Sequence, residues 1–190
     1  MPARFCKTVL FLAALAAMPA HALTVEVQAP DELKALLTQR LETVRAARSG
    51  EKPDAEEVAR LQRQSELTAH DLLATEGYFS PQVESTLEQV GDDWRLDYRI
   101  DPGPRTTVRS VALVFEGALK TRADTAGLRG RVERGFSLRQ GMPFRQADWS
   151  AAKLGVLRPL LASTYPAARL VTSEARIDPA TRAADLTLTI

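Results

Sequence analysis

Cysteine and histidine are nearly missing: the 190 residues hold one cysteine, Cys6, and two histidines, His21 and His70. That shortage excludes a disulfide framework, thiolate metal clusters and Cys/His nucleophilic machinery. Neither sign of charge dominates. Basic residues number 25 and acidic ones 24, a net +1, so no strong field draws the chain to nucleic acid or an anionic membrane surface. Long apolar runs are also lacking, and no stretch after the N-terminus approaches the ~20 residues a spanning helix needs. What remains is ordinary globular composition, 45% hydrophobic and 26% charged with 10 Gly and 11 Pro. That leaves room for one domain or two small ones.

The first 22 residues read as a secretory signal peptide. Arg4 and Lys7 form a basic start, Val9 to Met18 a short apolar core, and Ala20-His21-Ala22 the small-residue site, which predicts cleavage after Ala22. Cys6 and His21 would leave with that leader. A mature chain without cysteine suits export from a bacterial cytoplasm.

The rest reads as one plan written twice. Leu23–Val27 is a short strand. Pro30, Asp31 and Glu32 open a helix whose apolar stripe is Leu33, Leu36, Leu37, Leu41 and Val44, with Gly50 as its stop. Asp54 and Glu57 form a capping pair for a second helix that carries Val58, Leu61, Ala69, Leu72 and Leu73 and stops at Gly77. Two strands follow. Val83, Ser85 and Leu87 share one face of the first, while Trp94, Leu96, Tyr98 and Ile100 point inward in the second. The order is β-α-α-β-β. After the stiff interruption Asp101-Pro102-Gly103-Pro104 the order repeats. It comprises a strand over Val108–Phe115, a weak helix over Arg122–Glu133 and a helix from Arg145 with Ala147, Ala151, Leu154 and Leu161. Strands over Arg169–Ile177 and Asp185–Ile190 close it. Pro159 is expected to kink or end the second of these helices early. Tyr165 follows Tyr78 by 87 residues and Val111 follows Leu23 by 88, which argues for tandem modules.

Four short motifs stand in register along this plan. Leu72-Leu73-Ala74-Thr75-Glu76-Gly77-Tyr78-Phe79 resembles the L-x-x-x-G-Y-[FY] turn between the second helix and second strand of POTRA domains. Ile100-Asp101-Pro102-Gly103-Pro104-Arg105 resembles the junction between consecutive POTRA domains. Val111–Gly117, ending Phe115-Glu116-Gly117, resembles the strand that follows it. Gly141-Met142-Pro143-Phe144 resembles the G-x-x-[FY] helix entry. Together they are similar to the POTRA region of TamA-like outer-membrane protein assembly factors in the BamA/TamA superfamily. The second module departs from the pattern, with Ser163-Thr164-Tyr165-Pro166 where Gly-Tyr-Phe is expected.

The resemblance implies an α+β fold of two tandem POTRA-like β-α-α-β-β modules, each a small three-stranded mixed sheet covered by two helices. The domains would be residues 1–22 (signal peptide), 23–101 and 105–190, with a third POTRA domain and a β-barrel expected beyond Ile190. It implies a periplasmic location in a Gram-negative bacterium, as part of an outer-membrane protein. Its partners would be proteins: an inner-membrane-anchored subunit of the assembly module and unfolded outer-membrane protein clients. Structural turn and junction positions would be Gly77, Tyr78, Phe79, Gly103, Gly117 and Gly141. Client strands would pair with sheet edges by β-augmentation. The candidates are Gln82, Val83, Glu84, Ser85 and Thr86 in the first module and Leu170, Val171, Thr172 and Ser173 in the second.

No catalytic, metal or cofactor constellation is legible. His70 lacks a partner pattern, Glu56-Glu57 reads as a helix start and Asp92-Asp93 as a hairpin turn. Arg129, Arg131 and Arg134 read as a solvated helix face. Trp94 is expected in a core and Trp149 between modules. A non-enzymatic interaction module is therefore the leading reading. The alternatives are the POTRA pair of a two-partner secretion transporter, which normally carries an N-terminal plug helix, and a soluble periplasmic scaffold.

Overall fold

Leu33, Leu37, Leu41 and Val44 are all buried, yet no single straight helix carries them. In the computed structural model, which describes residues 22–50 and 52–190, the chain forms α1 (Asp31–Arg40) and α2 (Glu42–Ser49). Leu41 between them has an extended backbone (φ −64°, ψ 132°). The one continuous helix expected from Pro30 to Gly50 is therefore broken. The break is satisfied locally. Leu41 N still donates to Leu37 O at 2.9 Å, and the orphan Thr43 N at the new helix start donates to Ser65 Oγ at 3.0 Å. The predicted leader, except for its last residue Ala22, falls outside the described residues.

The first module runs β1 (Leu23–Gln28), α1, α2, α3 (Ala55–Thr75), β2 (Gln82–Val90) and β3 (Asp93–Asp101). Asp54 caps α3 by accepting from Glu57 N at 2.8 Å, as the spacing predicts. Glu57 turns instead to Arg60, at 2.6 Å. The sheet order is β1-β3-β2, with β1 parallel and β2 antiparallel to the central β3. The alternation read in β3 places Leu96, Tyr98 and Ile100 in the core with Val58, Ala69 and Leu73 from α3. Thr43, Ser65 and Tyr98 form a buried polar knot: Thr43 Oγ1 lies 3.3 Å from Tyr98 Oη and 3.1 Å from Ser65 Oγ. Burial pushes the Tyr98 phenol above its ordinary pKa.

The second module repeats the architecture with β4 (Thr107–Val114), α4 (Gly117–Thr121), a 3₁₀ turn at Ala123–Thr125, α5 (Ala126–Gly135), α6 (Gln146–Leu161), β5 (Thr172–Asp178) and β6 (Ala183–Thr189). Its sheet order is β4-β6-β5, again with a parallel and an antiparallel pair. The fold is α+β, with two three-stranded mixed sheets in tandem POTRA-like modules.

Four local expectations need correction here. Helical structure starts at Gly117, upstream of the single weak helix expected from Arg122. Pro159 does not end α6 early: it sits in the last turn, and the helix runs on to Leu161. The buried face of α6 is Trp149, Ala152, Val156 and Leu160, whereas Leu154 and Leu161 are exposed. Both sets fit a 3.6 period, and the one carrying the large indole goes inside. Trp149 thus belongs to the second core rather than between the modules.

Candidate functional site

Two kinds of feature can do work here: the outer edges of the sheets and the join between the modules. β2 and β5 each lie at a sheet edge, opposite β1 and β4. Gln82, Val83, Glu84, Ser85 and Thr86 are all within β2, with Gln82, Glu84 and Thr86 exposed and Val83 and Ser85 half-buried toward α3. Ser85 is tied to that helix, accepting from Gln62 Nε2 at 2.6 Å and hydrogen-bonding to Glu66. In the second module Thr172 and Ser173 open β5. Leu170 and Val171 precede it, although Val171 N already donates to Thr189 O at 2.8 Å.

The turn after α3 builds the join. Gly77 has φ +92°, in the left-handed region that glycine enters without penalty. A Cβ at this position would lie 2.0 Å from Phe144 O. Gly77 O accepts from Thr106 N at 2.8 Å, and Thr106 O accepts from Phe144 N at 2.9 Å, so one backbone relay crosses from module to module.

The two aromatics after Gly77 divide. Tyr78 enters the first core and donates from Oη to Glu32 at 2.8 Å. Phe79 packs on the second core, its ring centroid 6.0 Å from that of Phe144.

Two arginines complete the join. Arg105 lies 4.7 Å above the Tyr78 ring and 3.7 Å from Glu32, and Arg145 meets Glu76 at 2.6 Å. Burial first, then the bond to Glu32, raises the Tyr78 pKa. Motif reading found Gly77, Tyr78 and Phe79 but missed Arg105, Arg145 and Thr106 as their counterparts. Those three carry no pattern of their own and matter only once the modules meet.

The remaining expected positions are spread out. Gly103 lies in the linker, its N donating to Asp101 Oδ1 at 2.9 Å; Gly117 opens α4; Gly141 lies in the loop before α6. His70 is exposed on α3. Arg129 is a tether rather than a solvated charge, donating to Leu119 O at 2.6 Å and Thr125 Oγ1 at 2.9 Å. Asp93 accepts from Ala22 N at 2.7 Å. Among the described residues no cluster of His, Cys, Asp and Glu is placed to hold a metal ion. Among them, too, no helix is long and apolar enough to cross a membrane.

Two small units, each a three-stranded mixed sheet with its helices and an open strand edge, and a tightly bonded join between them define a protein of tandem α+β modules. Residues 24–102 match the family model described as POTRA domain, TamA domain 1. Among solved structures, the chain is similar to BamA POTRA3-5 of Haemophilus influenzae, at 16% identity and TM-score 0.45. That alignment covers 90% of this chain and 59% of the other. It is also similar to Omp85 POTRA1-2 of Anabaena (13% identity, TM-score 0.42, 90% of this chain and 93% of the other). A third is CdiB of Escherichia coli (14%, 0.37, 96% and 29%). The chain thus spans less than two thirds of the first of these structures. No curated protein sequence matches it.

Proposed function

We propose that this chain is the periplasmic POTRA region of an outer-membrane protein assembly factor, and that it handles partner and client strands by β-augmentation without catalysing a reaction. The observation that carries this reading is the nine-residue edge of β2, Gln82–Val90, in a domain matching the TamA-type POTRA model. An exposed edge offers a row of backbone donors and acceptors that any extended chain can pair with, whatever its side chains. Such tolerance suits clients that share a backbone and little else. The proposed partners are unfolded outer-membrane proteins and an inner-membrane-anchored subunit. The domain limits 23–101 and 105–190, and membrane attachment through a barrel, belong to the same proposal.

The test places a photo-crosslinking amino acid at Glu84 or Thr86 in β2, and at Ser173 in β5, in cells of a Gram-negative host. Crosslinks to outer-membrane β-barrel precursors are expected from these positions and not from exposed His70 on α3. Equal yields from His70 and from the edges would overturn the reading.

A further inference from the structure

The edge of β4 is half used by the chain itself. Strand β4 pairs with β6 through alternate residues: Ile190 N donates to Val114 O at 2.9 Å, and Glu116 N to Ile190 O at 2.9 Å. A β-bulge between Val108 and Ser110 resets that alternation. Upstream of the bulge, the outward groups are taken by the loop before α6. Val108 N donates to Met142 O at 2.8 Å, Gly141 N to Val108 O at 2.8 Å and Phe144 N to Thr106 O at 2.9 Å, and Thr107 bridges Pro143 in the antiparallel sense. Downstream, Val111 and Leu113 stand out of phase with Ser110, Ala112 and Val114, so their N–H and C=O groups aim away from β6. Among the described residues no strand lies beyond them. A groove of about 510 Å³ runs along this stretch, lined by Val111 and Leu113 on one side and Phe136 and Leu138 on the other, with Glu133 and Arg139 at its rim.

We infer that Ser110–Val114 is a strand-acceptor site, which takes an extended peptide antiparallel to β4 and in line with Gly141–Phe144. The inference rests on the β-augmentation reading above and assigns it to an edge outside β2 and β5. Backbone groups at Val111 and Leu113 recognise extended polypeptide as such. The apolar groove selects a segment with apolar side chains at alternate positions, the pattern of a strand with one greasy face. The loop that already pairs antiparallel on the same edge sets the direction. At β2 the corresponding strip toward the helix is filled by Gln62 and Glu66, bonded to Ser85.

The test is an amide-exchange measurement on the ¹⁵N-labelled 190-residue chain with a capped ten-residue peptide that alternates valine with threonine. At saturation the Val111 and Leu113 amides are expected to exchange at least tenfold more slowly. A peptide N-methylated at alternate residues should bind at least tenfold more weakly. Val111→Pro should weaken binding by a similar factor without costing a ladder bond, because the N–H it removes points outward. If that variant fails to fold, the N-methylated peptide still decides. Protection confined to Gln82–Val90 or Thr172–Asp178 would overturn the site while leaving β-augmentation standing. Absence of protection at every edge would overturn both.

Discussion

Gly77 serves the architecture twice. It turns the chain out of α3 with a backbone that L side chains enter at a cost of about 1–2 kcal/mol. It also leaves room for Phe144 O, 2.0 Å from where a Cβ would stand. Gly91 tests the two effects apart, for it shares a positive φ of 65° but faces open space. Gly91→Ala is expected to lose about 1 kcal/mol, and Gly77→Ala clearly more, since a backbone oxygen must also move. Urea denaturation of the two variants checks this, and equal losses would show that the join is not close-packed at that point.

At the scale of the element, β4 and β6 are pinned at the bulge by charge. Asp185 accepts from Arg109 Nε at 3.0 Å and Ser110 Oγ at 2.6 Å, with Asp178 also near Arg109. The Arg109 guanidinium first, and then the Ser110 hydroxyl, hold the Asp185 carboxyl down to about 2 from its ordinary 3.8. A depressed carboxylate stabilises the fold above its unfolded pKa and loses that contribution as pH falls through the folded one, here from about pH 4 to about 2. Asp185→Asn should therefore lower the urea midpoint at pH 5. The gap from the unsubstituted chain should narrow steadily as pH falls from about 4 to about 2, and a constant gap would refute this account of the bulge. The same element carries the open half-edge, so the clamp holds the acceptor strand in register beside its groove.

At the scale of the molecule, the modules are joined by more than a linker. Phe79 of the first module packs on the core of the second, a backbone relay runs from Gly77 through Thr106 to Phe144, and Arg145 reaches back to Glu76. Half-exposed ion pairs contribute little by themselves, and the aromatic contact contributes more. The two modules are expected to tumble as one body, with residual dipolar couplings from both fitting a single alignment tensor. Phe79→Ala should split that fit into two tensors while leaving each module's spectrum dispersed. Two tensors in the unsubstituted chain would show that the contacts do not hold an angle. Under the proposed β-augmentation reading, a fixed angle sets how the two edges would present themselves to one extended client.

Much of this was legible from residue order. The alternation in Trp94-Arg95-Leu96-Asp97-Tyr98-Arg99-Ile100, the Asp54 cap and the Gly77 turn are local patterns, and each is decided by chemistry within a few residues along the chain. Helix α6 shows where that stops: Leu154 and Leu161 fit its period as well as Trp149 and Val156 do, so the period alone does not choose, and it is the set with the indole that joins the second core. The break at Leu41 depends on Ser65, 22 residues beyond Thr43 in sequence, which satisfies the freed amide. The pairing of Arg105 and Arg145 shows in no local pattern because their partners, Tyr78, Glu32 and Glu76, come from another part of the fold. The repeat, its strands and its turns were thus determined by sequence, through interactions of short range. Which helix face is buried, how the modules meet, and which stretch of strand edge stays open were decided by tertiary structure. Those outcomes depend on residues far apart in the chain competing for the same space and the same backbone hydrogen bonds.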